Sequence, residues 1–316
     1  TNRGMAPNEM AVNALAALGL LVLLKGAYQV LGFLYTSFLR GGQNLKKLGS
    51  WVVVTGATDG IGKALAMEAA KKGMNVVIIS RTLSKLQDVE KEIADKCKVK
   101  VISIPFDFSS ASSSDYASLK TKLTGLEGGI AVLYNNVGVS YEHAEYLTDV
   151  SEERIASILE VNNASMLKMT RLVLPEMQSR KKGAIVNIGS FEGNINAPFY
   201  AVYGASKAFV ESFSKSMNVE LRGTGVCVQN HVPHYVATKM AIPNEKRRKG
   251  SFMTPWPNQW ARASLACVGY ESYCTPYWPH ALQAAIALSL PTWLVDNMRY
   301  KQSKLVRSIA LRKKQQ

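Results

Sequence analysis

Apolar positions run almost unbroken from residue 11 to 39, AVNALAALGLLVLLKGAYQVLGFLYTSFL, with Lys25 as the single charge. At about 1.5 Å of rise per residue, a helix of that length crosses the hydrocarbon core of a bilayer with some tilt. The pattern therefore predicts an N-terminal segment over 1–10 and a membrane anchor over 11–39. Lys25 at mid-span costs about 2.5–3.5 kcal/mol on insertion scales. Gln29 and Thr36 fall near its helical face, which leaves a buried polar stripe or a re-entrant hairpin open. A cleaved signal peptide fits poorly, because the apolar run resumes past Lys25 and no clear small-residue cleavage site follows. Arg40, Lys46 and Lys47 come directly after the run and Arg3 alone before it, so the positive-inside rule puts the rest of the chain in the cytosol.

From Ser50 the period changes. Short β-branched runs, WVVVT (51–55), NVVII (75–79), VKVISI (99–104), IAVLY (130–134), AIVNI (184–188) and VCVQNH (226–231), alternate with helical stretches such as KALAMEAAKKG. The alternation predicts an α/β fold, a Rossmann-type doubly wound parallel sheet in a single domain over 48–280. Near-continuous apolar strands suit a sheet covered on both faces. After about residue 240 the pattern loosens into a flap over 240–262. The closing segment 281–316 holds a second apolar run, ALQAAIALSLPTWLV (281–295), too short and too proline-broken to span a bilayer. It is expected to cover an apolar substrate or to lie in the membrane interface.

A formal charge of +15 favours anionic partners. The excess sits late, in Lys246 to Lys249 and in the tail after Arg299. No nucleic-acid motif accompanies it, so nucleic acid is not expected as a partner. Four cysteines without a CxxC pair suit a reducing compartment. His231 and His234 end a strand without metal-ligand spacing, and no metal is expected.

The first strand runs directly into TGATDGIGKALA. Gly56, Gly60 and Gly62 permit a tight turn and close backbone approach, and the helix from Ile61 aims its N-terminus at the loop. With Thr58 and Asp59 they form a cradle for a pyrophosphate. After the second strand come Ser80 and Arg81 where an NAD enzyme usually carries an acid. Arg81 suits a 2′-phosphate, so NADPH is the expected cofactor.

A tyrosine and a lysine four apart occur twice, as YGASK (Tyr203 to Lys207) and YASLK (Tyr116 to Lys120). Intervals cannot choose between them: Ser190 and Asn162 precede Tyr203 at the separations by which Ser103 and Asn75 precede Tyr116. Sheet geometry does choose. Ligands of open α/β sheets sit outside the carboxyl ends of the strands. Asn75 opens its strand, and Ser103 and Tyr116 belong to the adenine side. Ser190 leaves the carboxyl end of AIVNI, with Tyr203 and Lys207 one turn apart on the next helix. There a cation lowers the phenol's pKa toward working pH, and a serine hydroxyl steadies charge developing on a carbonyl oxygen.

In this order TGATDGIG, NNVG (Asn135 to Gly138), Ser190 and YGASK resemble the short-chain dehydrogenase/reductase family, over about residues 48 to 240. The resemblance implies Tyr203 as proton donor, Lys207 lowering its pKa and holding the nicotinamide ribose, and Ser190 polarising a ketone. It further implies Asn162 as anchor of a proton-relay water, Asp107 at the adenine, and Asn135, Asn136, Gly138, Val236 and Thr238 around the cofactor. PHY (Pro233 to Tyr235) departs from the family's Pro-Gly after the sixth strand. A narrower likeness, through NLKKLGSWVVVTGATDGIGKA, KMTRLVLPEM, VPHYVATKM and VGYESYCTPYWPHAL, is to the microsomal very-long-chain 3-oxoacyl-CoA reductases. It implies NADPH-dependent reduction of 3-oxoacyl-CoA in fatty acid elongation, at the endoplasmic reticulum membrane and facing the cytosol. Its implied partners are a condensing enzyme, a dehydratase and an enoyl reductase, and a homodimer is compatible with it. The final KKQQ resembles a dilysine retrieval signal. A 17-ketosteroid reductase and a silent elongase scaffold are the other readings.

Overall fold

The computed structural model describes residues 7–314. The described residues fall into two compact units, divided between Gly41 and Gly42. In the first, α1 (Pro7–Leu34) runs through Lys25 as one helix and ends in a wider turn, Tyr35–Leu39. The helical stretch Asn8–Leu39 is long and apolar enough to cross a membrane, and none of its most apolar part is buried. Arg3, the two final glutamines of KKQQ and the side chains of its lysines lie outside the described residues.

The second unit is built on a seven-stranded parallel sheet in the order β3-β2-β1-β4-β5-β6-β7. The strands are β1 (Trp51–Thr55), β2 (Asn75–Ser80), β3 (Val101–Pro105), β4 (Ile130–Asn135), β5 (Gly183–Ile188), β6 (Val226–His231) and β7 (Tyr273–Cys274). The hydrophobic pattern expects the first six, within two residues. The seventh is two residues long, too short to carry a periodicity, and pairs with the end of β6.

Alternate β1 residues sort onto opposite faces. Val52 and Val54 join a core with α2 (Gly60–Lys71) and α3 (Leu83–Lys96). Trp51 and Val53 join another with α4 (Ser113–Leu123) and α6 (Ser165–Arg180). Between these last two helices lies α5 (Glu152–Leu159), and α7 (Ala201–Glu220) leads into β6. Strand order reverses between β1 and β4, which opens a crevice at their carboxyl ends.

The expected flap is only partly irregular. Residues 257–262 open α8 (Pro257–Cys267), which packs on α2. Its Pro257 sits at the first turn, where no amide donor is needed. Trp260, Ala261, Ser264 and Leu265 form its buried stripe, and Trp260 is fully buried. An aromatic buried to that extent contributes roughly 4–6 kcal/mol as an upper bound. The closing segment is helical as well: α9 (Trp278–Ser289) starts ahead of residue 281, breaks at Pro291, and gives way to α10 (Thr292–Lys314).

Candidate active site

The turn after β1 is held in a form that side chains resist. Gly56 and Gly60 have φ of +65° and +55°, conformations favouring glycine. A Cβ on Gly62 would lie 2.2 Å from the Gly56 carbonyl oxygen and 2.4 Å from Asn136 Nδ2. Asp59 caps α2, its carboxylate accepting from the Gly60 N–H at 2.7 Å. The first turn of α2, Gly60 to Gly62, therefore keeps a bare backbone at a helix N-terminus, which fits a pyrophosphate. At the adenosine end, the hydroxyls of Thr58 and Ser80 lie 3.0 Å apart and Arg81 is exposed beside them in sequence. The Asp107 carboxylate accepts from the Ser109 hydroxyl and N–H, which with the nearby Arg81 charge hold it below the usual carboxylate range.

Across the crevice, Asn136 Nδ2 donates to the carbonyls of Thr55 and Gly56 at 2.9 and 3.2 Å. Thr55 Oγ1 accepts from the amides of Asn136 and Val137, both at 3.0 Å. These bonds fix the loop after β4 to the glycine turn, so Asn136 and Gly138 border the crevice. The Asn135 side chain points the other way, donating to Asn187 Oδ1 at 2.8 Å inside the sheet. Its role is structural, since a β4 side chain at that register faces the buried layer. Val236 is buried, and Thr238, beyond it, reaches back to the glycine turn, 3.2 Å from where a Gly60 Cβ would be.

Asn162 sits in a wide turn, Glu160–Ala164, between α5 and α6. Its Oδ1 accepts from the Val139 N–H at 2.8 Å, while Nδ2 donates to the Val139 carbonyl and to Ser206 Oγ. One buried amide thus clamps the β4 loop to α7. Lys207 is buried and Tyr203 half-buried on α7. Ser190 follows β5 and is hydrogen-bonded to the Tyr203 hydroxyl. Two glycines bring turn and helix together: a Cβ on Gly193 would lie 2.7 Å from the Lys207 carbonyl carbon, and one on Gly204 would lie 2.8 Å from Ala197 Cβ. Lys207 Nζ lies 5.8 Å from the centre of the Tyr203 ring. Ser190, Tyr203, Lys207 and Asn162 therefore share one site beside the crevice.

Protonation differs from expectation in one respect. Burial pushes Tyr203 up to about 12, against a smaller lowering by the Ser190 hydrogen bond. Burial lowers Lys207 to about 8. The phenol therefore keeps its proton near neutrality, with the lysine one turn further along the helix.

The other pair is split. Tyr116 is in the core, its ring 5.0 Å from that of Phe106, while Lys120 is exposed. Ser103 bonds Glu90 and Asn75 bonds the Lys100 amide, both away from the crevice.

The sequence marked the PHY departure but not what packs around the turn that Ser190 opens. His234, in the PHY departure, stacks on Phe191 with ring centres 4.0 Å apart. Its backbone N–H donates to the Nδ1 of His280, a buried residue of α9. Burial lowers these imidazoles to about 3 and about 4, so both are neutral. Arg299 of α10 forms an ion pair with Glu192 and also bonds Tyr235. No interval in the sequence links residues 192 and 299, so their pairing had no local signal. A cleft of about 860 Å³ opens on another face of α7, lined by Glu192, Ala201, Ala205, Leu288 and Tyr300 among others, and neither Tyr203 nor Lys207 borders it.

Residues 50–249 match the family described as short chain dehydrogenase. The very-long-chain 3-oxoacyl-CoA reductase of Homo sapiens is 44% identical over 268 residues, covering 84% of this chain and 83% of that protein. The inactive hydroxysteroid dehydrogenase-like protein 1 of Homo sapiens is 41% identical over 250 residues, covering 79% of this chain and 75% of that protein. Among solved structures, a short-chain dehydrogenase from Sphingobium yanoikuyae in complex with NADPH superposes with a TM-score of 0.63 at 25% identity. That match covers 76% of this chain and 96% of the other.

Proposed function

This chain belongs to the short-chain dehydrogenase family, and from that premise we propose that it reduces very-long-chain 3-oxoacyl-CoA to 3-hydroxyacyl-CoA with NADPH. It is a ketone-reducing oxidoreductase with a nicotinamide cofactor, acting on an acyl-CoA in fatty acid elongation. The observation that carries the reading is the meeting of Ser190, Tyr203 and Lys207 at the carboxyl end of β5, beside a glycine turn with no room for side chains.

A bound nicotinamide supplies the hydride. The protein's part is position and a proton. Ser190 donates a hydrogen bond to the C3 carbonyl oxygen, and Tyr203 gives that oxygen its proton. The Lys207 ammonium stabilises the phenolate left behind. Asn162 keeps the β4 loop against α7 and so fixes the distance between cofactor crevice and acid. Arg81, with no carboxylate at the end of β2 to oppose it, supports NADPH over NADH. The apolar helix α1 supports anchoring in the endoplasmic reticulum membrane with the reductase in the cytosol, alongside membrane-bound elongation partners.

The similarity to an inactive hydroxysteroid dehydrogenase-like protein favours weighing a silent scaffold. The complete set Ser190, Tyr203, Lys207 and Asn162, gathered on one side of the crevice, speaks for turnover. NADPH consumption in detergent, with a long 3-oxoacyl-CoA and then a 17-ketosteroid, tests the reading. Faster turnover of the acyl-CoA is expected. Preference for the steroid gives the site to a 17-ketosteroid reductase, and tight NADPH binding without turnover of either gives the scaffold.

A further inference from the structure

Outside the catalytic cleft, the loop before α8 and the helix α9 expose apolar side chains. Phe252, Met253 and Trp256 are 55%, 48% and 46% exposed in the loop before α8. On α9, Leu282 and Ile286 are exposed on one side, four residues apart, opposite the buried His280 and Ala284. Trp293, past the Pro291 break, is 66% exposed. The loop and α9 form one surface: the Phe252 and Trp278 rings meet edge-on at 5.1 Å, the Tyr277 hydroxyl donates to the Phe252 carbonyl, and His280 Nε2 lies 3.3 Å from the Met253 carbonyl oxygen.

This surface has a charged fringe. Lys246, Arg247 and Lys249 are exposed beside it, while Arg248 turns inward onto the carbonyls of Ile242 and Pro243. A Cβ on Gly250 would meet the Trp256 indole, so the basic stretch lies directly against the apolar one. Between residues 240 and 295 the only acids are Glu245 and Glu271. Exposed aromatic and aliphatic side chains with a basic rim are the composition of a surface that lies on anionic lipid.

The surface is one layer away from the chemistry. Pro255 accepts from the Ala237 N–H at 3.0 Å, between Val236 and Thr238 of the cofactor loop. His280 accepts from the His234 N–H, and His234 stacks on Phe191, next to Ser190.

We propose that the face formed by residues 246–256 and α9 docks on an anionic bilayer, so that the catalytic cleft receives its long acyl chain from the lipid phase. The inference rests on the membrane-anchored reading of the chain. A chain of many methylenes prefers the bilayer to water. A cleft roofed by lipid lets the tail stay there while the C3 ketone reaches Ser190.

The tryptophans make this testable in the full chain. None of the five lies in α1, and Trp51 and Trp260 are buried. The protein is reconstituted into vesicles of phosphatidylcholine and phosphatidylserine, with the phosphatidylcholine brominated in its acyl chains. Tryptophan emission is expected to fall relative to unbrominated vesicles, with most of that fall lost in Trp256→Phe/Trp293→Phe. Replacing Lys246, Arg247 and Lys249 by Glu is expected to weaken the quenching. Emission indifferent to bromination in a protein that floats with the vesicles overturns the proposal and leaves the anchor standing. Emission that instead follows the protein-to-lipid ratio assigns the face to a second copy and also overturns it. Equal quenching without phosphatidylserine removes the anionic requirement, and failure to float overturns anchor and docking together.

Discussion

The Lys207 ammonium donates a hydrogen bond to the Ile188 carbonyl oxygen at 2.9 Å. Ile188 ends β5 and Ser190 comes two residues later, so this bond ties the strand carrying the serine to the helix carrying the tyrosine. The lysine therefore has a positional part as well as an electrostatic one. Its length is taken up by reaching the strand, which keeps the charge under the site and out of solvent.

Tyr203→Phe removes the acid and keeps the ring that packs beside Lys207. A rate loss of at least about 10²-fold is expected, the usual worth of a positioned acid, with NADPH binding retained. Single-turnover kinetics with a long 3-oxoacyl-CoA make the measurement. Wild-type speed would remove Tyr203 from the proton transfer.

The lysine also sets a pH dependence. Its pKa is lowered from 10.5 to about 8 by burial, so kcat/KM is expected to fall as pH rises through about 8. A neutral amine cannot hold the phenolate. Stability should move the other way. Between about 8 and 10.5 the unfolded chain keeps the proton that the folded chain has released, so the free energy of unfolding from this group rises with pH. A pH profile of activity with NADPH and one of unfolding on the cofactor-free protein check the opposite signs.

Gly62→Ala places a methyl group 2.2 Å from the Gly56 carbonyl. The glycine turn must shift away from the N-terminus of α2. Weaker NADPH binding and a lower unfolding midpoint are both expected, measured by fluorescence titration and thermal melting. Normal NADPH affinity would mean that the crevice is not the pyrophosphate site.

Arg81→Ala is expected to raise the KM for NADPH by about tenfold or more, the scale of a lost hydrogen bond to a charged group, and to leave the KM for NADH nearly unchanged. Equal effects on both cofactors would place the 2′-phosphate elsewhere.

Glu192 and Arg299 are 19% and 13% exposed in their side chains. Removing one partner leaves the other charge poorly solvated, a cost of about 3 kcal/mol at this degree of burial. Arg299→Met should thus be less stable than the double variant Glu192→Gln/Arg299→Met. A double-mutant cycle by denaturant unfolding reads the difference.

Much of this protein was written locally. The β-branched runs predicted six strands because strand formation and two-sided burial act on neighbouring residues, and the 11–39 run predicted α1 by length alone. The glycine turn was equally legible, since Gly56 and Gly60 need a backbone that few other residues adopt. Choosing Tyr203 over Tyr116 needed only the rule that ligands sit at strand carboxyl ends. Tertiary structure decided the rest. The ion pair of Glu192 with Arg299 joins residues 107 apart, and the stack of His234 on Phe191 depends on how β6 exits beside β5. The helix within the expected flap begins only at Pro257, behind the irregular stretch 248–256 that marked the segment as a flap. Protonation was likewise a property of the fold: burial, which no residue carries by itself, holds Tyr203 as an acid and brings Lys207 near working pH.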